Sequence, residues 1–358
     1  MQSADRLVGA PERLRRGNEL DRRFADKPTQ PLRLPEARNT ADLFHVILLV
    51  ETLMRKLAVL LACGLAVAQT PPARSTLEQL GYPAGTKLLI IHADDLAVTH
   101  AANQATFDAL EQGAVSSASI MAPCPWLAEA AAYAKQHPDA DFGIHLTLTS
   151  EWKNYRWGPV ARGDLGGLAA SDGYLWPEVQ QVSRRATPAA VEAELRAQID
   201  RTLAMGIHPT HLDAHMACTL LNPAFFVAYV KLAREYGIPF FAPRLVLASA
   251  TMRAALKDTD VLVDQYFMAP PATKKENWKE YYARAVQSAK PGLTEIVVHL
   301  SYDNAEAQAV MGADGAYASA WRQRDFDLVT SPEFRHLVAD SHVTVIGWKQ
   351  VRDRWPVR

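Results

Sequence analysis

Eight short runs rich in apolar and β-branched residues punctuate the chain from residue 87 onward. They are KLLIIHA (87–93), SSASIMAP (116–123), DFGIHLTL (141–148), HPTHLDAH (208–215), PFFAPRL (239–245), TDVLVD (259–264), TEIVVHL (294–300) and HVTVIGW (342–348). Between several of them stand stretches with apolar residues at helical spacing: AANQATFDALEQG ending in Gly113, WLAEAAAYAKQHP ending before Pro138, TPAAVEAELRAQIDRTLAMG ending in Gly206, and NPAFFVAYVKLAREYG ending in Gly237. Thr187 and Pro188 suit the cap and first turn of the third, and the terminal glycines suit helix ends. Strand and helix patterns in alternation predict a mainly parallel α/β sheet, either closed as a (β/α) barrel or open and doubly wound. No glycine-rich phosphate loop follows the first run, which together with the number of repeats favours the barrel. A single domain over residues 72–358 is expected, with insertions at 150–185 and around 265–290 and no internal repeat.

The first 70 residues depart from this pattern. Residues 1–39 are rich in Arg, Pro and Glu with little periodicity, a composition that buries too little apolar surface to order itself. From Met54 the pattern changes again: Arg55 and Lys56 form a positive start, Leu57–Leu65 a short apolar run, and Ala66-Val67-Ala68 a small-residue cleavage site before Gln69. This is the layout of a secretory signal peptide, and the apolar run is too short to span a bilayer comfortably. A signal peptide over residues 54–68 is therefore expected, with Met54 as the initiator, residues 1–53 as a disordered stretch or a misassigned upstream start, and a periplasmic or secreted mature chain.

Composition narrows the class of ligand. The chain has 358 residues, 49% of them hydrophobic, and its 38 basic and 39 acidic side chains nearly cancel. With no basic stripe after the first 23 residues, nucleic acid finds no electrostatic footprint, and a small or sugar-like ligand is expected instead. Beyond the signal segment only Cys124 and Cys218 remain, either a pair or two buried thiols, and no zinc-knuckle spacing occurs.

In a parallel barrel, reactive groups sit where strands end. The first run ends in His92, Asp94 and Asp95; the third carries His145; the fourth ends in His211, Asp213 and His215; the seventh carries His299. Five of the 11 histidines fall on such ends. One buried strand histidine is ordinary; four strand ends in agreement point to a metal site. Imidazole and carboxylate without thiolate suit Zn²⁺, Fe²⁺, Co²⁺ or Ni²⁺. Successive side chains of a strand alternate, so one of Asp94 and Asp95 could bind the ion while the other takes a proton from water. Asp95 could equally cap the helix that follows. In HLDAH, an extended strand would put His211, Asp213 and His215 on one side, whereas a break at Asp213 would let His215 alone swing toward the site; His215 ranks above His211 as a ligand. Asp213 suits either a turn or an acceptor that orients a ligand histidine.

These motifs, ADD after a first strand, GIHLTLT, PTHLDAH and EIVVHLSYD, resemble in that order the landmarks of the YdjC-like carbohydrate deacetylases, over about residues 87–305. The resemblance implies an irregular TIM-like (β/α) barrel related to polysaccharide deacetylases, and metal-dependent removal of acetyl groups from N-acetylated sugars. By it, Asp95, His145 and His215 are the metal ligands, Asp94 the general base and His299 the proton donor, around one divalent ion, with Zn or Mg in first place and Co, Ni or Fe as alternatives. The chain departs from the family pattern at His92, where Asn is usual, at Leu96-Ala97 after the acids, at Ala214 and Met216-Ala217 around His215, and at Leu300-Ser301 after His299.

Aromatic residues between 151 and 179, Trp152 and Trp157 among them, suit stacking on sugar faces, or else packing of the insertion onto the barrel. Arg244 suits a substrate carboxylate or phosphate, or an ordinary ion pair. The expected activity is hydrolysis of an acetylated amide on a carbohydrate. The alternatives are another metal-dependent esterase or amidase and an exported carbohydrate-binding protein without turnover.

Overall fold

The computed structural model describes residues 75–355, so the signal-like segment and the stretch before it lie outside the described residues. Seven strands form one sheet: β1 (Lys87–Leu96), β2 (Ser117–Ile120), β3 (Phe142–Leu146), β4 (Leu212–Ala214), β5 (Gln265–Met268), β6 (Gly292–His299) and β7 (Thr344–Val345). Every pairing is parallel, in the order β4-β3-β2-β1-β6-β5, and β7 lies beside the start of β1 at Leu88 and Leu89. The sheet curls. Single bridges at Leu212 with Phe240 and at Pro243 with Val263 carry the hydrogen bonding from β4 round toward β5 and β6. The arrangement is an α/β fold consistent with a TIM-like barrel.

Two expectations fail locally, for identifiable reasons. The run PFFAPRL is not a strand: Pro239 and Pro243 have no N–H to give a ladder, and only isolated bridges form there. Region 265–290 is not an insertion but a strand and helix, β5 followed by Trp278–Gln287, while the expected strand at 259–264 supplies only the bridge at Val263. The helices otherwise begin and end as their caps dictate. Thr187 accepts a hydrogen bond from the Ala190 N–H ahead of Pro188, and Gly237 closes Pro223–Tyr236 in the left-handed conformation. Among the described residues no helix is long and apolar enough to cross a membrane.

Strand alternation sorts the core. β1 sends Leu89, Ile91 and Ala93 into one apolar cluster and Leu88 and Ile90 into another. His92 and Asp94 continue the face of Leu88 and Ile90. Along the corresponding faces of the neighbouring strands lie Ser117 and Ser119, Gly143 and His145, His211 and Asp213, and Glu295 and His299, all buried. The space between the strands is therefore lined by polar groups over a short apolar base. Gly143 has a steric purpose there: a Cβ would lie 2.3–2.6 Å from three atoms of the His211 ring, which itself stacks on Trp348 with centroids 4.8 Å apart. Gly143→Ala is expected to destabilise the chain by about 1–3 kcal/mol through overpacking. Denaturant unfolding measures it, and an unchanged midpoint would mean that the ring yields without cost.

Candidate metal centre

The adjacent acids reach one centre by a backbone device rather than by strand alternation. Between Ala93 and Leu96 the register of β1 against β2 shifts by one residue, and Asp95 adopts φ +67°. Such a bulge re-aims a side chain. Asp94 Oδ2 consequently lies 3.7 Å from His145 Nε2, and Asp95 Oδ1 lies 3.3 Å from the same nitrogen. The helix-cap alternative for Asp95 falls: the helix His100–Glu111 is capped by Thr99, whose hydroxyl accepts from Ala102 N–H.

β4 does break early. It ends at Ala214, and a tight turn with Met216 at φ +50° and Ala217 at φ +54° delivers His215 to the centre, with Nδ1 3.1 Å from Asp95 Oδ1. One ligand atom from each of Asp95, His145 and His215 lies within 4.8 Å of the others. Atoms bound tetrahedrally about 2.0–2.1 Å from one ion stand about 3.3 Å apart, so these spacings suit a cation.

Each imidazole has a carboxylate behind it. His145 Nδ1 donates to Asp213 Oδ1 at 2.8 Å, leaving Nε2 to the centre, and His215 Nε2 donates to Glu151 at 3.0 Å, leaving Nδ1. Acceptors in these places fix the tautomer and ring direction that metal ligation needs. Burial opposes the charge on His215, but Glu151 and then Asp95 carry it up to about 9. Asp95 is 1% exposed; burial opposes its ionisation, yet Arg322 and then His215 hold it well below the usual carboxylate range. Arg322 Nη2 donates to Asp95 Oδ2 at 2.7 Å, and its Nε donates to the Tyr317 carbonyl.

His299 stands opposite Asp94 in the β1–β6 register, with Nε2 3.9 Å from Asp94 Oδ2 and 4.0 Å from Asp95 Oδ2. Burial pushes the ring down to about 4, so it is neutral at pH 7. Its backbone N–H donates to Asp325. Below the centre, His92 Nε2 touches both Asp94 and Asp213, and His211 packs edge-on against His92 with centroids 5.0 Å apart.

A model of the family described as YdjC-like protein matches residues 88–340, which include every group just named. The chain belongs to the YdjC-like family. Within it, the "Carbohydrate deacetylase" of Thermus thermophilus is 30% identical over 285 residues, covering 77% of this chain and 98% of the relative. That of Geobacillus stearothermophilus is 33% identical over 262 residues, covering 73% and 96%. The crystal structure of a candidate cellobiose-phosphate cleavage protein from Enterococcus faecalis V583 shares the fold, with a TM-score of 0.62 and 23% identity over 74% of this chain and 99% of that one.

Some expected site residues in this YdjC-like chain lie elsewhere. Arg244 is paired with Asp264, whose carboxylate also accepts from Leu293 N–H at the beginning of β6, the end of the strand opposite His299. It is a structural ion pair away from the centre. His211 faces His92 and Trp348 rather than the Asp95 group. Trp157 is 3% exposed, donates its indole N–H to the Thr149 carbonyl and lies edge-on to His215, so it forms a wall and offers no open face for stacking. Trp152 keeps partial exposure, with the Arg322 guanidinium 5.7 Å from its ring centroid. Cys124 and Cys218 are both free and buried.

Glu151, Arg322 and Asp325 were not anticipated. Glu151 has no spacing signal. Arg322 and Asp325 do: the buried positions Trp321, Arg322, Asp325, Leu328 and Val329 repeat at helical spacing, so two charges occupy the apolar stripe of Ser319–Val329. Arg322→Met is expected to cost the metal-free chain about 3 kcal/mol by leaving Asp95 buried without its cation. Unfolding with chelator present measures this, and a loss under about 1 kcal/mol would remove Arg322 as the chief stabiliser of that charge.

Proposed function

We propose that this chain is a metal-dependent hydrolase that removes an acetyl group from an N-acetylated carbohydrate. The supporting observation is Asp95 Oδ1, a buried carboxylate oxygen that meets no hydrogen-bond donor and is faced by two imidazole nitrogens whose far sides are held by carboxylates. That donor set fits a divalent cation. Two nitrogens and one carboxylate oxygen favour Zn²⁺ and its first-row neighbours over Mg²⁺, which prefers oxygen. Asp95, His145 and His215 would hold the ion; when bound it supplies Lewis acidity at the acetyl carbonyl and acidifies water.

The remaining steps belong to the chain's own groups. Asp94, with Oδ2 turned toward the cluster and its side chain 13% exposed, is the base that takes the proton from attacking water. The amine must leave protonated, and a neutral His299 can give a proton only after receiving one. Its Nε2, 3.9 Å from Asp94 Oδ2, is near enough to receive the proton that Asp94 collects through one bridging water and to pass it to the departing nitrogen. The carbohydrate nature of the substrate rests on the names of the relatives.

The test is acetate release from N-acetylated oligosaccharides and from O-acetylated esters, with and without chelator. Release from the amides should require metal and fall by about 10²–10⁴-fold in Asp94→Asn. Release from esters alone would replace the amide reading with an esterase. Metal and sugar binding without acetate would leave a binding protein. We further place the mature chain outside the cytoplasm, on the segment Met54–Ala68; N-terminal sequencing of the exported protein should begin at Gln69, and a chain retaining Arg55 and Lys56 would contradict this.

A further inference from the structure

One buried histidine beside Asp94 takes no part in these steps. His92 is fully buried, two residues before Asp94 on the same face of β1. Its Nε2 is 3.2 Å from Asp94 Oδ1, 3.1 Å from Asp213 Oδ2 and 3.1 Å from Ser119 Oγ. A ring nitrogen facing two carboxylates carries a proton. The other imidazoles within reach of Asp94 are farther away and face its other oxygen, with Oδ2 3.7 Å from His145 Nε2 and 3.9 Å from His299 Nε2. The two oxygens are thus sorted, one beside His92 Nε2 and one turned to the cluster.

We propose that His92 is the positioning residue for Asp94, its Nε2–H holding Oδ1 so that Oδ2 is the oxygen presented to the reacting groups. The inference rests on Asp94 being the base. A carboxylate turns freely about its last torsion unless one oxygen is anchored, and a base is effective only within hydrogen-bond reach of the proton it removes. The anchor is itself braced. Asp213 shares the same nitrogen and also orients His145, so one imidazole aligns the base with a metal ligand. His211 meets the ring edge-on, and Glu295 from β6 adds negative charge to its surroundings.

The experiment compares His92→Leu and His92→Gln in the metal-loaded full chain, each alone and combined with Asp94→Asn. Gln can place an amide donor near the position of Nε2, and Leu cannot. His92→Leu should lower kcat by about 10- to 100-fold with KM within about twofold, and Gln should restore most of it. In the Asp94→Asn background His92→Leu should cost at most the part that runs through Asp213 to His145, well below its cost in the unaltered chain; an equal loss in both backgrounds overturns the proposal.

A second readout needs no turnover. The imidazole N–H proton resonance of His92, identified by its disappearance in His92→Gln, should shift in Asp94→Asn, and an unmoved resonance overturns the proposal even if the Leu variant fails to fold. Should the unaltered chain release no acetate while the resonance shifts, the proposed activity fails and the tie to Asp94 stands. Metal analysis closes the remaining route: two ions per chain, one lost in both His92 variants, would make His92 a ligand beside His211 and Asp213 and overturn the positioning role.

Discussion

A carboxylate shut away from water governs this structure. Asp95 cannot stay ionised where it lies without compensation, because moving a charge out of water costs several kcal/mol even after the protein relaxes around it. Arg322 reaches it from the helix Ser319–Val329, His215 from the turn after β4 and His145 from β3. Three distant parts of the chain are held to one atom group. The bulge that turns Asp95 inward is thus the point on which sheet, helix and turn agree, and the left-handed backbone there is sustained by contacts that a free peptide would lack.

The same demand explains the unusual interior of the curled sheet. Parallel barrels are generally filled by branched apolar side chains in layers. Here the upper layers are imidazoles and carboxylates, and Ser117, Ser119 and Gly143 make room for them. Apolar packing is left to Leu88, Ile90 and Leu293 near the strand starts and to the surfaces between strands and helices. Buried polar networks are favourable only when their members are mutually satisfied, which makes each imidazole here sensitive to its neighbours. Asp213 shows the economy: one carboxylate serves His145 through Oδ1 and His92 through Oδ2.

Outside the sheet, the long connection after β3 is bound down by side chains from one helix. Gln198 of Pro188–Ala204 exchanges hydrogen bonds with both the N–H and the carbonyl of Thr147, and Glu194 accepts from Val160 and Ala161 N–H. Four residues after Thr147, Glu151 meets His215, and Trp157 closes the wall beside it. The aromatic insertion therefore supports the centre first, and only its less buried members, such as Trp152 and the exposed Tyr174, remain open to solvent.

Most of the architecture was legible along the chain because it rests on local periodicity and caps: the alternation of strands and helices, the helix starts at Thr187 and Asn222, and the strand ends that carry His92, Asp94, Asp95, His145, Asp213, His215 and His299. Side-chain type and order along the chain were enough to suggest the YdjC-like family and a metal centre. Orientation was not legible. The left-handed turn at Asp95, the break after Ala214, the pairing of Arg244 with Asp264 and the burial of Trp157 arise from neighbours far away in sequence. Arg322 and Asp325 are the sharpest case. Their spacing was there to mark them as members of a buried stripe, but only the packing of their helix against β6, beside the end of β1, decided that one holds Asp95 and the other the backbone of His299.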